Sequence, residues 1–197
     1  MKHFAKFFFS IATCLVLFGC AHPISMNPGL GSVAGASTTA RINKQVGYHI
    51  SEVSRALEIT TAGGGGDKVR YFPYRDMDAG FYKALGEVFT GVTKVSNPQD
   101  AAAISASGIT LLIVPEISTT SASESLLTWP PTQFSVMLNC TVVDAKGQNV
   151  THIRVEGNGL AEFSEFKSNF SLAAVRASSD ALQKLVKALA ESKELRL

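Results

Sequence analysis

Phe134-Ser135-Val136-Met137-Leu138-Asn139-Cys140-Thr141-Val142, followed by the turn residues Asp144-Ala145-Lys146-Gly147 and by Ile153-Arg154-Val155, decides the fold. Phe134, Val136, Leu138, Cys140 and Val142 alternate with Ser135, Asn139 and Thr141, the period of two that a half-buried strand requires. Asp and Gly around Lys146 supply turn chemistry. Beyond the turn, Ile153, Val155, Ala161 and Phe163 form an inner face against His152, Arg154, Glu156 and Glu162. The pair therefore reads as two long antiparallel strands with one face on a core. The phase points Cys140 inward as an inert thiol, and Gly157 and Gly159 are expected to mark a bulge or bend in the second strand.

Working outward, residues 169–193 carry Leu172, Val175, Leu182, Leu185, Val186 and Leu189 at helical spacing. Burying each such side chain is worth about 1.5–3 kcal/mol, so this helix should be a major support of the sheet. Upstream, Ile109 to Val114 is a continuous apolar run between Gly108 and Pro115, as in a strand buried on both faces at the centre of a sheet. Asn97-Pro98 should open a short alanine-rich helix that Gly108 ends in a left-handed conformation. Phe81, Leu85, Val88, Phe89 and Val92 share one face of an earlier helix, with Asp78 as its expected N-cap. Val46 to Ile50, Leu57 to Thr61 and Lys68 to Phe72 read as strands, the last two joined across Gly63-Gly64-Gly65-Gly66 as a hairpin. That glycine run lacks the Gly-Lys-Ser/Thr ending of a phosphate-binding loop, so a hairpin tip is the better reading.

Between the buried run and the long strands, Ser118 to Glu124 is polar and reads as surface, followed by Leu126-Leu127-Thr128-Trp129-Pro130-Pro131. Trp129 is the only tryptophan of the chain. With Pro130 and Pro131 it has the makeup of a partner contact, or else it folds back over an edge of the core. Tyr71 and Tyr74 are the other candidates for partner binding, against packing on the helix that follows them.

The first 19 residues have a basic start, Lys2 and Lys6, and an apolar run from Phe7 to Phe18 that is short of the ~20 residues a membrane-spanning helix needs. Leu17-Phe18-Gly19-Cys20 resembles the lipobox of bacterial lipoproteins. That resemblance implies removal of residues 1–19 as a signal peptide, lipidation of Cys20 and, with Ala21 next, the periplasmic leaflet of the outer membrane. The other possibility is an ordinary cleaved signal with an incidental cysteine. Residues 20–43 are small and polar, and their composition suggests a flexible tether. At up to about 3.3 Å per residue it could hold a domain tens of ångströms from the bilayer.

Removal of the first 19 of 197 residues leaves 178, enough for one domain over 44–197. Of 18 basic residues, Lys2 and Lys6 depart, leaving 16 against 16 acidic ones. Nucleic-acid binding has no basic cluster to rest on. Of three cysteines, Cys14 departs and Cys20 is the lipid site, so Cys140 stands alone, without a disulfide or thiolate zinc site.

The expected architecture is a single α/β (α+β) mixed-sheet domain, ordered β-α-β-α-β-β-β-α from Lys68, with an N-terminal hairpin extension. This order resembles the N-terminal domain of TolB and lipoproteins of the LpoB and CsgG families, through Phe81 to Val92, Ile109 to Glu116, Phe134 to Gly147 and the terminal helix. The resemblance covers about two thirds of the chain and carries no site residue across. The polar loop at 118–133 is too short for the two added spanning strands of a CsgG-like pore, which need about 9–11 residues each.

For chemistry, His49 and His152 stand on different expected strands without metal-site spacing, and no Gly-x-Ser-x-Gly elbow occurs. Asp76 and Asp78 could bind a cation or exchange protons, but helix capping explains them better. No catalytic residue, metal or cofactor is therefore assigned. The expected function is that of an outer-membrane-anchored accessory or scaffold component of an envelope assembly or transport complex. Its partners would be the membrane, an envelope protein or a second copy of itself, and the alternative is a module binding a small glycan or lipid.

Overall fold

In a computed structural model, which describes residues 21–36, 39–124, 127–165 and 168–197, the chain runs β1 (Ala21–Pro23), α1 (Leu30–Val33), β2 (Ile42–Tyr48), α2 (Glu52–Ala56), β3 (Ile59–Ala62) and β4 (Lys68–Tyr71). It continues through α3 (Pro73–Val88), β5 (Phe89–Lys94), α4 (Ala101–Ala106), β6 (Leu111–Ala122), β7 (Gln133–Asp144), β8 (Asn149–Leu160) and α5 (Leu172–Glu191). The mixed α/β class and the element order expected from Lys68 onward are present. Two sheets form: a main one ordered β5-β2-β6-β7-β8 and a small one ordered β1-β4-β3.

β2 lies between β5 and β6, parallel to both. It is thus part of the main sheet and not of an N-terminal extension. β4, expected as the first strand of the main sheet, pairs instead with β1 and β3. The hairpin across the glycine run is present, with Ile59 opposite Tyr71 and Ala62 opposite Lys68.

β7 and β8 pair over their lengths, and the phase read from their alternation holds. Phe134, Val136, Leu138, Cys140, Val142 and Ile153 are buried, and burial pushes the Cys140 thiol up to about 12. Phe163, placed on the inner face by alternation, is exposed, because the strand ends at Leu160. The expected bulge at Gly157 and Gly159 is not there; pairing shifts instead between Val142 and Val143. The two glycines let α5 lie on the strand. A Cβ on Gly157 would overlap the backbone of Ala177 and Ala181, and one on Gly159 the backbone of Ala173 and Ala177. The first half of the buried helical face is correspondingly made of Ala173, Ala174, Ala177 and Ala181, with Leu182, Leu185, Val186 and Leu189 filling the second half. Leu172 and Val175 are half-buried.

β6 is longer than the apolar run suggested. It continues through Pro115 and the polar 118–122 segment, paired with β7 from Leu111–Asp144 to Ala122–Gln133. Its other edge pairs with β2 only from Leu111 to Ile113. Ile113 gives its carbonyl to His49 N on that edge (3.0 Å), so by alternation Pro115 and Ile117 turn their nitrogens the same way. Proline has no N–H to leave unpaired there. The Ile117 N–H donates to Tyr74 Oη at 3.0 Å. Farther along, Thr119 meets Tyr71 Oη (2.7 Å) and Ser121 donates to Thr61 Oγ1 (2.6 Å). Side chains of α3 and the small sheet therefore close the edge that β2 leaves open.

On the opposite face, α4 buries Ile104 against Val95, Ile109 and Leu112. Asp100, not Asn97, caps α4, accepting from Ala103 N at 2.9 Å, while Gly108 takes the expected left-handed conformation. α3 begins at Pro73, five residues before Asp78, so Asp78 is not its N-cap.

The tether expected over 20–43 is corrected for residues 21–36. β1 adds to the small sheet in parallel with β4, and Ile24, Met26 and Val33 are buried in the main core. Met26 N donates to Asp76 Oδ2 (3.0 Å), and Gln183 Nε2 donates to the Ser32 carbonyl (2.7 Å). Average composition hid this, because a few well-placed apolar residues suffice when α3 and α5 leave a groove for them. Packed structure is thus present from Ala21, the first described residue, and not only from near 44.

Candidate functional site

Ala21, the first described residue, lies at an end of the molecule where several elements stop. β1 and β4 start there, β3, β6 and β8 finish there, and the loops 123–132 and 161–171 join β6 to β7 and β8 to α5. These pieces are tied together. The His22 ring stacks on Trp129 with centroids 4.3 Å apart and planes 19° from parallel. His22 Nε2 lies 3.2 Å from Asp67 Oδ2. Trp129 also meets Phe170 at 5.0 Å, and its carbonyl accepts from Gly64 N at 2.8 Å. Ser25 N donates to Ser171 Oγ (3.0 Å), and Ala161 N to the Thr132 carbonyl (2.9 Å). In the 161–171 loop, Glu165 takes two hydrogen bonds from Arg176 of α5, at 2.6 and 2.9 Å, which hold its carboxyl down at about 2.

Large apolar side chains are exposed at this end: Leu127 at 96 %, Leu160 at 65 %, Phe163 at 64 % and Phe170 at 51 %. Among the described residues, the remaining exposed ones are dispersed over α1, α2, the start of the β3 hairpin, α3 and the C-terminus.

The residues expected to bind a partner do not form one surface. Tyr71 is buried edge-on against Phe134 (5.3 Å). Tyr74 is half-buried with its hydroxyl committed to Ile117 N. Pro130 and Pro131 are buried, and Trp129 packs on the core with His22 and Phe170 on it. Trp129 thus folds back over an edge of the core, half-buried like Tyr74, and of the three rings Tyr71 alone is fully buried and has no face to offer a ligand. Cys20 lies outside the described residues and immediately precedes Ala21. His22 was missed because its role depends on a ring distant in sequence, which no local pattern announces.

A second polar centre surrounds Asp78. Its carboxylate pairs with Arg55 and with Lys94 Nζ (3.0 Å), and accepts from Tyr48 Oη (3.0 Å). Burial alone would raise the Asp78 pKa, but hydrogen bonds from Lys94, Arg55 and Tyr48 outweigh it and hold the carboxyl below its usual value. Burial, reinforced by the Asp78 charge, pushes the Tyr48 phenol well above its ordinary range. These groups join α3 to α2, β2 and β5, so the centre reads as a brace. A folded pKa below the unfolded value of about 3.9 means that Asp78 stabilises above that pH and loses its contribution as pH falls through the lower folded value. Asp78→Asn should cost about 1–2 kcal/mol at neutral pH, a figure discounted for partial exposure. Denaturant titrations from pH 7 to 2 should show a smaller loss of stability on acidification than in the parent.

His49 and His152 are apart, bonded to the Val95 carbonyl (2.8 Å) and to Thr141 (3.3 Å) respectively. Among the described residues no three His, Cys, Asp or Glu side chains cluster as metal ligands would, and no helix is long and apolar enough to cross a membrane.

No protein-family model matches the chain, and no curated protein matches it. Among solved structures it is similar to a Xanthomonas campestris protein of family DUF330, with 13% identity over 88% of this chain and 91% of that one and a TM-score of 0.48. It is also similar to a "putative lipoprotein" from Caulobacter crescentus CB15, with 13% identity over 81% and 93% and a TM-score of 0.37.

Proposed function

We propose that the protein is a lipid-anchored component of the bacterial envelope, held on the periplasmic leaflet of the outer membrane through Cys20, and that it acts by docking an envelope protein or a second copy of itself. The observation that carries the anchor is the sequence Leu17-Phe18-Gly19-Cys20 behind a short apolar run and a basic start. Docking is favoured over chemistry because Asp78 is committed to Arg55, Lys94 and Tyr48 as a brace, and Tyr71 and Tyr74 are committed to packing and to β6. The face of β6, β7 and β8 turned away from α5 offers Glu116, Asn139, Thr141, His152 and Arg154 to a partner. The element order read from the sequence resembles that of TolB-like domains and of LpoB- and CsgG-like lipoproteins, and that resemblance is in keeping with such a role without assigning a residue to it.

Cys20→Ser should abolish lipid attachment, so that metabolic labelling with a fatty acid is lost and the 19-residue leader is retained. Labelling that persists in the variant would refute the anchor. Crosslinking in intact cells should then recover the wild-type protein joined to a second polypeptide, and recovery only as an isolated monomer would refute docking.

A further inference from the structure

The anchor and the fold leave almost no slack between them. If Cys20 carries the lipid, the first strand residue, Ala21, is its covalent neighbour, with Cα atoms about 3.8 Å apart. Ala21 is held in register opposite Lys68, beside the His22–Trp129 stack. The domain therefore cannot stand off from the bilayer; the end at which β1 starts must lie on it. At that same end the loops 123–132 and 161–171 expose Leu127, Phe163 and Phe170, with Trp129 behind Phe170. Leu160, at the mouth of the second loop, adds to the same end.

We infer that this end is a membrane-contact rim, in which Leu127, Phe163 and Phe170 enter the headgroup and upper acyl region of the leaflet that holds the Cys20 lipid, with Trp129 at interfacial depth. The inference rests on the lipid-anchor reading of Cys20. Its occupant is a phospholipid surface because the anchor brings one to this place. The contact is apolar in kind: the chain after residue 19 carries as many acidic as basic residues, so attraction to anionic lipid has no excess charge to act through. Aromatic rings with a polar edge suit the interface, where the headgroups meet the acyl region.

Trp129 is the only tryptophan and is thus its own reporter. The full processed protein, with acylation of the Cys20 peptide verified by mass spectrometry, is reconstituted into phosphatidylethanolamine/phosphatidylglycerol vesicles, with and without lipids brominated near the headgroup. Trp129 emission should be quenched by the brominated lipid, and the double variant Leu127→Asp, Phe170→Asp should be quenched less while keeping its far-ultraviolet circular dichroism. Unquenched emission from acylated protein would overturn the rim while leaving the anchor intact. An unacylated Cys20 peptide would overturn both. A photoreactive residue in place of Leu127 should crosslink to lipid in the native envelope, and a protein adduct instead would overturn the rim.

Discussion

Gly157→Val should destabilise the fold by about 3 kcal/mol or more, the upper range of overpacking, because the atoms in the way are backbone. The new Cβ would overlap the Ala177 carbonyl and Ala181 nitrogen, which belong to a hydrogen-bonded helix and have no rotamer to change. Relief requires α5 to lift from β8, and Leu182, Leu185 and Leu189 to loosen with it. Gly86→Ala is the control: a Cβ there meets nothing within 4 Å, and alanine is a better helix former by up to about 1 kcal/mol. Denaturation in urea should therefore move the two midpoints in opposite directions. A Gly157→Val midpoint equal to the parent's would mean that helix and strand are not in contact.

Met26→Ala should cost about 2–4 kcal/mol, as for other large-to-small changes at fully buried sites. A residue in a free tether would change stability by no more than about 0.5 kcal/mol, so the two accounts of residues 21–36 are far apart. Trp129 emission is a suitable probe, since its ring stacks on His22 of β1 and reports detachment of this segment as well as global unfolding. A loss within the surface range would return the segment to the status of a linker.

Much of the architecture was legible because it follows from periodicity. The alternation from Phe134 to Val142 gave the correct inward face, and the apolar run that starts at Ile109 lay in a central strand from Leu111 on. What stayed hidden depends on partners distant in the chain. Gly157 and Gly159 look like strand breakers until α5 is laid across them, and the alanines of α5 look like filler until the glycines are known. Residues 118–122 are polar yet extended, because pairing with β7 and hydroxyl contacts from the small sheet satisfy them. Asp78 falls where a cap was expected, but α3 begins earlier at Pro73 and the carboxylate turns to Arg55, Lys94 and Tyr48. At the candidate site, local sequence exposed Cys20 and drew attention to Trp129. The closeness of Ala21 to the exposed loops required the fold.

Tyr74 and Pro115 also bear on whether copies of this chain could join edge to edge. A strand that outruns its neighbour offers an arriving chain a template for sheet growth, and concentrating a protein on a membrane raises the frequency of such encounters. Along β6 past Ile113, a stranger would find one position without a donor, the next donor of that edge already taken, and the groups beyond covered by the small sheet. Keeping that strand to itself would let many copies lie side by side, as the proposed anchor requires, without fibre growth from this edge.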